Sequence, residues 1–489
     1  MKKLSFYFSL VLILLASCQT EEIAMTSFDD VSKGLNEAIV PARQITDDVN
    51  SKEVDNILDK LFKSKPKSRA GYTISLLKDK QGKDAIICVN FAGNGGFALI
   101  SAVKTHEPIL AYSEEGNFND VDSLKFPLNE WLKDAIDNVS SSIELPEDSL
   151  RKILSTWRIY EEPKSKLKSR VYDYGPDKSK FVNITYEEYL DLWHVMADYV
   201  NKWQAEGYRV YEIDEYNRDL SMGDKFQIAE YVQGNIYAQY TDDYWALTVV
   251  REKDYAYEYQ DGSRFETKWG QERGYNQSFE YRYDDPSKPI YAGCGPIAVG
   301  QVMYHFKHPS FFNWDVMTKT DWANKVTSDF LLDVKNKCNA TYTAGKGTGC
   351  STDDRIKALK AYGYSCKKVS SVTPSNIYGH TPAIVASKLR RINDKGKEED
   401  VYHAWTIECQ KNWGSHTHVE IWTFLYPDEF KCIYQEDVDV YDTAAFYVNW
   451  GWYGKNDGFY SFSNNMKPYD EAYLKNTFRS AIVDIHPNR

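Results

Sequence analysis

The sequence predicts an α+β fold, and two patterns of apolar residues support that prediction. Between residues 72 and 113, short apolar runs alternate with turns of Lys, Gly and Asn, which is typical of a small antiparallel sheet. From residue 265 onward, helical patterns come first and strand-like runs with glycine turns follow. A helical half followed by a β half is the order of an α+β domain.

Helical periodicity recurs along the chain, so helices can be placed before the strands. Apolar spacing predicts helices over 51–62 and 127–139, and Thr185 with Glu188 forms a capping box before a third helix over 185–203. Two more helices are expected, one after Cys294 and one over 352–362 that stops at Gly363. The later strands are expected at 382–392, 401–409, 418–426, 444–454 and 458–463.

Length and charge narrow the class of function. A chain of 489 residues is long enough for two or three domains. The formal net charge is -12, and the Lys-rich patches at 63–69 and 163–170 are short and mixed with Ser and Pro. We therefore expect linkers there and no nucleic acid as a partner. The eight cysteines include no Cys-x-x-Cys pair with matching His or Cys, so no zinc site is expected.

The N-terminus carries a targeting signal. Two lysines precede an apolar run over 6–15, and the segment Leu15-Ala16-Ser17-Cys18 follows. This pattern resembles bacterial lipoprotein signals, which implies cleavage before Cys18, a lipid anchor on its sulfur and a location in the cell envelope. Glu21 and Glu22 resemble surface-export signals. The alternative interpretation is an ordinary secretory signal with an incidental cysteine.

Cys294 stands where a helix is expected to begin. Glycines flank it, Pro296 suits a first helical turn, and an apolar stripe follows from Val299 to Phe306. Unpaired N–H groups and the positive dipole end of a helix N-terminus stabilise a thiolate. The pattern therefore favours a nucleophile over a buried structural thiol.

A nucleophilic cysteine requires a base, and His403 is the first candidate. It lies on a predicted strand, where it shares one face with Val401 and Trp405. Cysteine and histidine of such pairs come from remote positions that the fold joins. His416 and His418 are rivals, although their polar neighbours favour a loop. A core histidine without chemistry is the other interpretation.

Two further segments offer supporting groups. Asn449 ends a predicted strand between aromatic residues, so its amide oxygen could orient the imidazole while Trp450 and Trp452 exclude water. Gln271 could join the Cys294 backbone N–H in holding an oxyanion. The alternative for the first segment is a glycine-aromatic hairpin without chemistry.

The order of these segments resembles the streptopain family of papain-like cysteine peptidases. The matching motifs run from the W-x-Q-x-x-x-Y-N segment to the N-W-G-W segment: Trp269, Gln271, Tyr275 and Asn276; Gly293, Cys294, Gln301, Val302 and Met303; Asn313 and Trp314; His403, Ala404 and Trp405; Asn449 to Trp452. The resemblance implies that Cys294 is the nucleophile, His403 the base and Gln271 the oxyanion support. It implies that residues 449–452 orient and shield His403, and that peptide hydrolysis proceeds through a thioester without a cofactor.

The front half is similar to the propeptide of that family, which implies a zymogen. The similarity lies in residues 95–118, with the strand at 108–113. We expect a signal peptide over 1–17, a propeptide-like α+β domain over 18–150, a connecting region of unknown role over 151–264, and a papain-like peptidase domain over 265–489. Substrates would be proteins or peptides.

Two other hypotheses remain open. The chain could be a non-catalytic surface binding lipoprotein that reuses the peptidase fold, since the region 164–260 is rich in Tyr, Asp and Glu without a recognisable motif. It could also carry out transglutaminase-like acyl transfer, because an amine can capture a thioester.

Overall fold

The protein is described by a computed structural model. It describes residues 22–25, 46, 48–62, 71–119, 124–141, 147–160, 185–212, 247–320, 322–392, 396–424, 429–462 and 478–488. The signal peptide and Cys18 lie outside the described residues. Within the described part of the chain, no helix is long and apolar enough to cross a membrane.

The N-terminal part is a small sheet covered by helices. Its elements are β1 (Glu22–Met25), α1 (Ser51–Leu61), β2 (Tyr72–Lys78), β3 (Asp84–Phe91), β4 (Phe97–Ser101), β5 (Ile109–Ser113), α2 (Leu128–Ser140) and α3 (Glu147–Arg158). The strands pair in chain order and antiparallel, as predicted. α1 begins at a capping box formed by Asn50 and Glu53.

The middle region contributes to an extended sheet. It contains α4 (Tyr186–Ala205), β6 (Arg209–Glu212) and β7 (Val249–Asp261). The predicted capping box of Thr185 and Glu188 is confirmed at the start of α4. β7 pairs with the distal part of a long C-terminal strand, and the aromatic stripe of α4 packs in the core beneath it.

The C-terminal part contains the helices predicted after Cys294 and over 352–362, two further helices that were not predicted, and most of the sheet. The helices are α5 (Cys294–Phe306), α6 (Lys325–Lys337), α7 (Thr352–Ala361) and α8 (Pro374–Ile377), with a small hairpin of β8 (Thr341–Thr343) and β9 (Gly347–Gly349). The strands are β10 (Tyr364–Val369), β11 (Ala383–Ile392), β12 (Glu398–Phe424), β13 (Phe430–Asn449), β14 (Gly458–Ser461) and β15 (Phe478–Pro487).

One continuous antiparallel sheet joins the two parts. Its order is β1-β2-β3-β4-β5-β14-β13-β12-β11-β15-β10, and β7 with β6 extends from β12. The junction is the pairing of β5 with β14, where Phe459 lies opposite Tyr112. The α+β prediction is therefore confirmed, with the propeptide-like region and the C-terminal strands in the same sheet.

The hydrophobic core also crosses the junction. Trp131 of α2 packs edge-on against Tyr460 of β14 with ring centroids 4.9 Å apart, and its indole N–H donates to the Ser461 carbonyl at 3.0 Å. Trp405 and Trp450 belong to the same buried cluster as Trp131. A separate cluster lies between α5, α6 and α7 and fills the helical half.

Candidate active site

The first turn of α5 places Cys294 at a helix N-terminus. Gly293 precedes it with φ 91°, and a Cβ at that position would lie 2.9 Å from the Thr348 carbonyl oxygen. Only glycine therefore fits this turn into the helix. The following stripe of Val299, Val302 and Met303 is fully buried, so the helix is fixed while the half-buried Cys294 remains at its tip.

The structure brings His403 into hydrogen-bonding contact with the Cys294 thiol. Burial by itself raises the pKa of this thiol. The hydrogen bond and charge of His403, a hydrogen bond from the Ala404 backbone and the charge of Arg355 outweigh burial and lower the pKa to about 7. The lowered pKa increases the thiolate fraction near neutral pH, and the thiolate is the state required of a nucleophile.

A main-chain carbonyl holds the other side of the imidazole. His403 Nε2 donates to the Trp450 carbonyl oxygen at 2.8 Å, which leaves Nδ1 for Cys294. The Trp452 ring packs over the imidazole with centroids 5.2 Å apart, and Trp450 stacks on Trp452 at 5.5 Å. The two indoles shield the hydrogen bond from water, as the sequence suggests, but the acceptor is backbone.

Asn449 acts on the imidazole through one peptide unit. Its Oδ1 accepts from the Gly451 N–H at 3.0 Å, and that N–H belongs to the same peptide unit as the Trp450 carbonyl. Its Nδ2 donates to the Thr267 carbonyl at 3.0 Å. The Asn449 side chain was expected to accept directly from the imidazole, but the acceptor is the Trp450 carbonyl. The Asn449 hydrogen bond fixes and polarises the peptide whose carbonyl oxygen accepts the hydrogen bond from the imidazole N–H.

Two buried carboxyl groups form hydrogen bonds at the same strand end, and no sequence motif assigns a role to either of them. Asp457 accepts from the Trp450 N–H at 3.0 Å, and Glu408 accepts from the Phe265 N–H at 2.6 Å. Burial raises the pKa of Asp457 to about 7, while the Trp450 N–H and the charge of Lys268 oppose this rise. Burial also holds the pKa of Glu408 well above its ordinary value. The turn sequence from Asn456 to Gly458 was the available signal for Asp457.

Gln271 lines the same cavity as His403. Its backbone carbonyl accepts from the Ala292 N–H at 3.0 Å, two residues before Cys294. Gln271, His403 and Trp452 line one cavity of about 1770 Å³. The cavity is large enough for a peptide segment, and its walls come from both the N-terminal and the C-terminal parts of the chain.

A second thiol underlies the helix tip. A Cβ at Gly295 would lie 2.5 Å from Cys350 Sγ and 3.3 Å from the Arg355 guanidinium. The side chain of Cys350 also contacts Cys338, and the cysteines in the described residues are free thiols. Arg355 is buried, so its charge acts on Cys294 with little screening.

The two rival histidines lie elsewhere. His416 and His418 are in the distal part of β12, so the loop expected from their polar neighbours is wrong, and His418 belongs to a strand as the expected strand at 418–426 implies. His418 Nδ1 contacts Asp437 at 2.7 Å, and His416 stacks on Tyr255 with centroids 5.6 Å apart. Among these three histidines, His403 is the partner of Cys294 in this arrangement.

Residues 42–139 match the sequence model of the Spi protease inhibitor family. The match lies within the predicted propeptide-like segment 18–150, and the matched domain is of an inhibitor type. No curated protein matches the chain.

Two solved structures from Prevotella intermedia are similar to this chain. A prointerpain A fragment is 13% identical, covers 84% of this chain and 97% of its own, and gives a TM-score of 0.37. Active interpain A cysteine protease is 17% identical, covers 46% of this chain and 94% of its own, and gives a TM-score of 0.28.

Proposed function

We propose that the protein is a cysteine endopeptidase made as a zymogen. The observation that carries this proposal is the Cys294 thiol at a helix N-terminus, hydrogen-bonded to His403 and with its pKa lowered to about 7. The inhibitor-type domain at 42–139 supports the zymogen. Peptide or protein chains are the proposed substrates.

The geometry supports a mechanism in which the protein supplies each group. The Cys294 thiolate attacks the scissile carbonyl carbon, and the oxyanion is held by the Cys294 backbone N–H and the Gln271 side chain. The His403 imidazolium gives its proton to the leaving amine, which yields a thioester. His403 then takes a proton from water while the resulting hydroxide attacks the thioester carbonyl, which breaks the C–S bond, releases the acid product and restores the Cys294 thiolate and the His403 imidazolium. These steps use no cofactor.

The position of the N-terminal domain supports inhibition, because its residues form part of the wall of the cavity that His403 lines. Gly116, Phe126 and Asn129 line the cavity that also contains His403. A substrate reaching His403 would have to share this cavity with the domain. We therefore propose that cleavage between about 160 and 268, in the connecting region and the segment after it, precedes turnover of other substrates.

Anchoring by lipid is a separate proposal, based on the sequence around Cys18. We expect the mature protein to carry a lipid on the Cys18 sulfur and to sit at the cell envelope. Metabolic labelling with a fatty-acid analogue tests it. Labelling of the wild type that is lost in Cys18→Ser supports the anchor, whereas equal labelling of both refutes it.

The catalytic proposal is tested by incubating purified full-length protein alone. We expect self-cleavage and labelling by a thiol-directed epoxide in the wild type, and neither in Cys294→Ala. Cys350→Ala is the matched control, since it removes a neighbouring thiol that the mechanism does not use. Persisting cleavage in Cys294→Ala would refute the proposal. Ligand binding without hydrolysis in any form would favour the binding lipoprotein instead.

A further inference from the structure

The C-terminal wall of the cavity around His403 is basic, although the chain as a whole is acidic. Among its described lining residues, two carboxylates, Glu272 and Asp284, face six cations: Lys268, Arg273, Arg282, Lys346, Arg390 and Lys455. The net charge of the chain is -12. A cleft lined by one sign of charge attracts ligands of the opposite sign.

Two of these cations pair with carboxylates of the C-terminal part itself. Arg282 pairs with Glu272 at 3.2 Å, and Arg390 approaches Asp400 at 3.4 Å. Lys268 is different, because its ion-pair partner is Glu115 of the N-terminal domain. A cleft cation is therefore neutralised by a group that belongs to the inhibitor-type domain.

A second ion pair repeats this arrangement. Arg264 pairs with Glu114 at 3.2 Å, next to the Glu115 pair. Glu114 and Glu115 directly follow β5, the strand that pairs with β14. Two consecutive acidic residues of the N-terminal domain, in the bend after β5, thus pair with cations of the C-terminal part. Departure of the N-terminal domain would leave Arg264 and Lys268 without these partners.

The position of Lys268 indicates on which side of the scissile bond the positive charge of the cavity wall would act. A Cβ at Gly454 would lie 3.0 Å from Lys268 Cδ, so the lysine chain crosses the loop that follows Trp452. Lys455 lies in the same loop and is exposed. Trp452 packs on His403, which delivers the proton to the leaving amine. A substrate bound in this cavity would therefore place the residues after its scissile bond beside Lys268 and Lys455.

From these observations we infer that the enzyme selects peptides with an acidic side chain on the leaving-group side of the scissile bond. Lys268 and Lys455 are the specificity residues, and Glu115 of the N-terminal domain occupies the place of the substrate carboxylate. The inference rests on the proposed function and names its substrate class.

The test compares matched fluorogenic peptides that carry Glu, Gln or Lys at single positions before or after the scissile bond. The enzyme is the self-processed form of the full chain. We expect kcat/KM for Glu to exceed that for Lys by about tenfold after the scissile bond at low ionic strength, since two partly exposed ion pairs are involved. The ratio should shrink as salt is added.

Charge-reversal variants identify the residues responsible. Lys268→Glu with Lys455→Glu should invert the Glu-to-Lys ratio, whereas Lys325→Glu, an exposed lysine outside the cavity lining, should leave it as in the wild type. The ratio of the kcat/KM values for the Glu and Lys peptides does not depend on the fraction of the enzyme that is active. Equal rates for all peptides, a preference confined to positions before the bond, or an unchanged ratio in the double variant would overturn the inference.

The two levels of the proposal fail differently. Cys294-dependent hydrolysis without a charge preference refutes the inference alone. If no peptide is hydrolysed in a Cys294-dependent way, both the proposed function and the inference are refuted.

Discussion

The imidazole of His403 is held between a thiol and a peptide carbonyl. Its Nε2 donates to Trp450 at 2.8 Å, so the ring cannot rotate without breaking that hydrogen bond. Asn449 and Asp457 each accept from a backbone N–H at this strand end. Orientation of the base therefore depends on side chains that act through the main chain.

The thiol should titrate near neutral pH. Above the pKa of about 7 the thiolate predominates, so the rate of Cys294 alkylation should rise through pH 7 and then level off. His403→Ala removes the hydrogen bond and charge that lower the pKa and leaves burial, which raises it. The midpoint should then move to higher pH, as followed by mass spectrometry of the labelled peptide. An unchanged midpoint would contradict the pairing.

Asn449 should affect turnover more than substrate binding. Asn449→Ala removes the acceptor of the half-buried Gly451 N–H, a loss that costs about 0.5–1.5 kcal/mol. We expect kcat to fall by about tenfold with little change in KM, and the pH profile to shift because Asn449 no longer holds the peptide whose carbonyl accepts from the imidazole. Asn449→Asp retains an acceptor for Gly451 and should lose less. A purely structural role would change stability and leave the pH profile in place.

Sequence reasoning at this scale finds side chains better than backbone groups. Cys294 and His403 could be predicted because thiols and imidazoles carry the chemistry themselves. The Trp450 carbonyl could not be predicted, because any residue there offers the same oxygen. Glu408 and Asp457 were missed since their effect depends on burial, which the residue type does not reveal.

At the scale of elements, the tip of α5 depends on close approach to the segment that follows β9. Gly295→Ala would place Cβ 2.5 Å from Cys350 Sγ. Overpacking of this kind costs about 1–3 kcal/mol, so we expect a lower melting temperature and slower labelling of Cys294.

A second substitution should separate this contact from other causes. Cys350→Ala removes the sulfur and should restore most of the loss in Gly295→Ala. Gly349→Ala is the matched control, since a Cβ there meets open space. Failure of the double variant to recover would show that another contact limits the helix tip.

Elements with a strong local pattern could be placed from the sequence, and long strands could not. α5 and α7 follow helical spacing and end near the expected residues. β12 extends over 27 residues and includes His416 and His418 because β7 and β13 pair with it on either side. Their polar side chains favour a loop locally, but backbone pairing with remote strands prevails.

At the scale of the whole molecule, the N-terminal and C-terminal parts share one sheet and one core. Trp131→Ala removes a ring that is 1% exposed and packs against Tyr460 across the junction. We expect the free energy of unfolding to fall by about 3–5 kcal/mol. Both parts should still unfold in one transition in denaturant, as followed by hydrogen exchange of peptides from each.

The control for this change is Trp322→Ala, because Trp322 is 67% exposed. Two separate transitions in the wild type would contradict a shared core. The sequence indicates two domains but not their union, because the pairing of β5 with β14 joins segments far apart in the chain and leaves no local pattern.

Removal of β5 would leave β14 as an edge strand whose backbone N–H and C=O groups have lost their partners on that side. Exposed edge strands form backbone hydrogen bonds with strands of neighbouring molecules and so promote aggregation. The processed protein should therefore be less soluble than its precursor, and concentrated preparations should scatter light after maturation unless the liberated fragment stays seated on Phe459 and Tyr460.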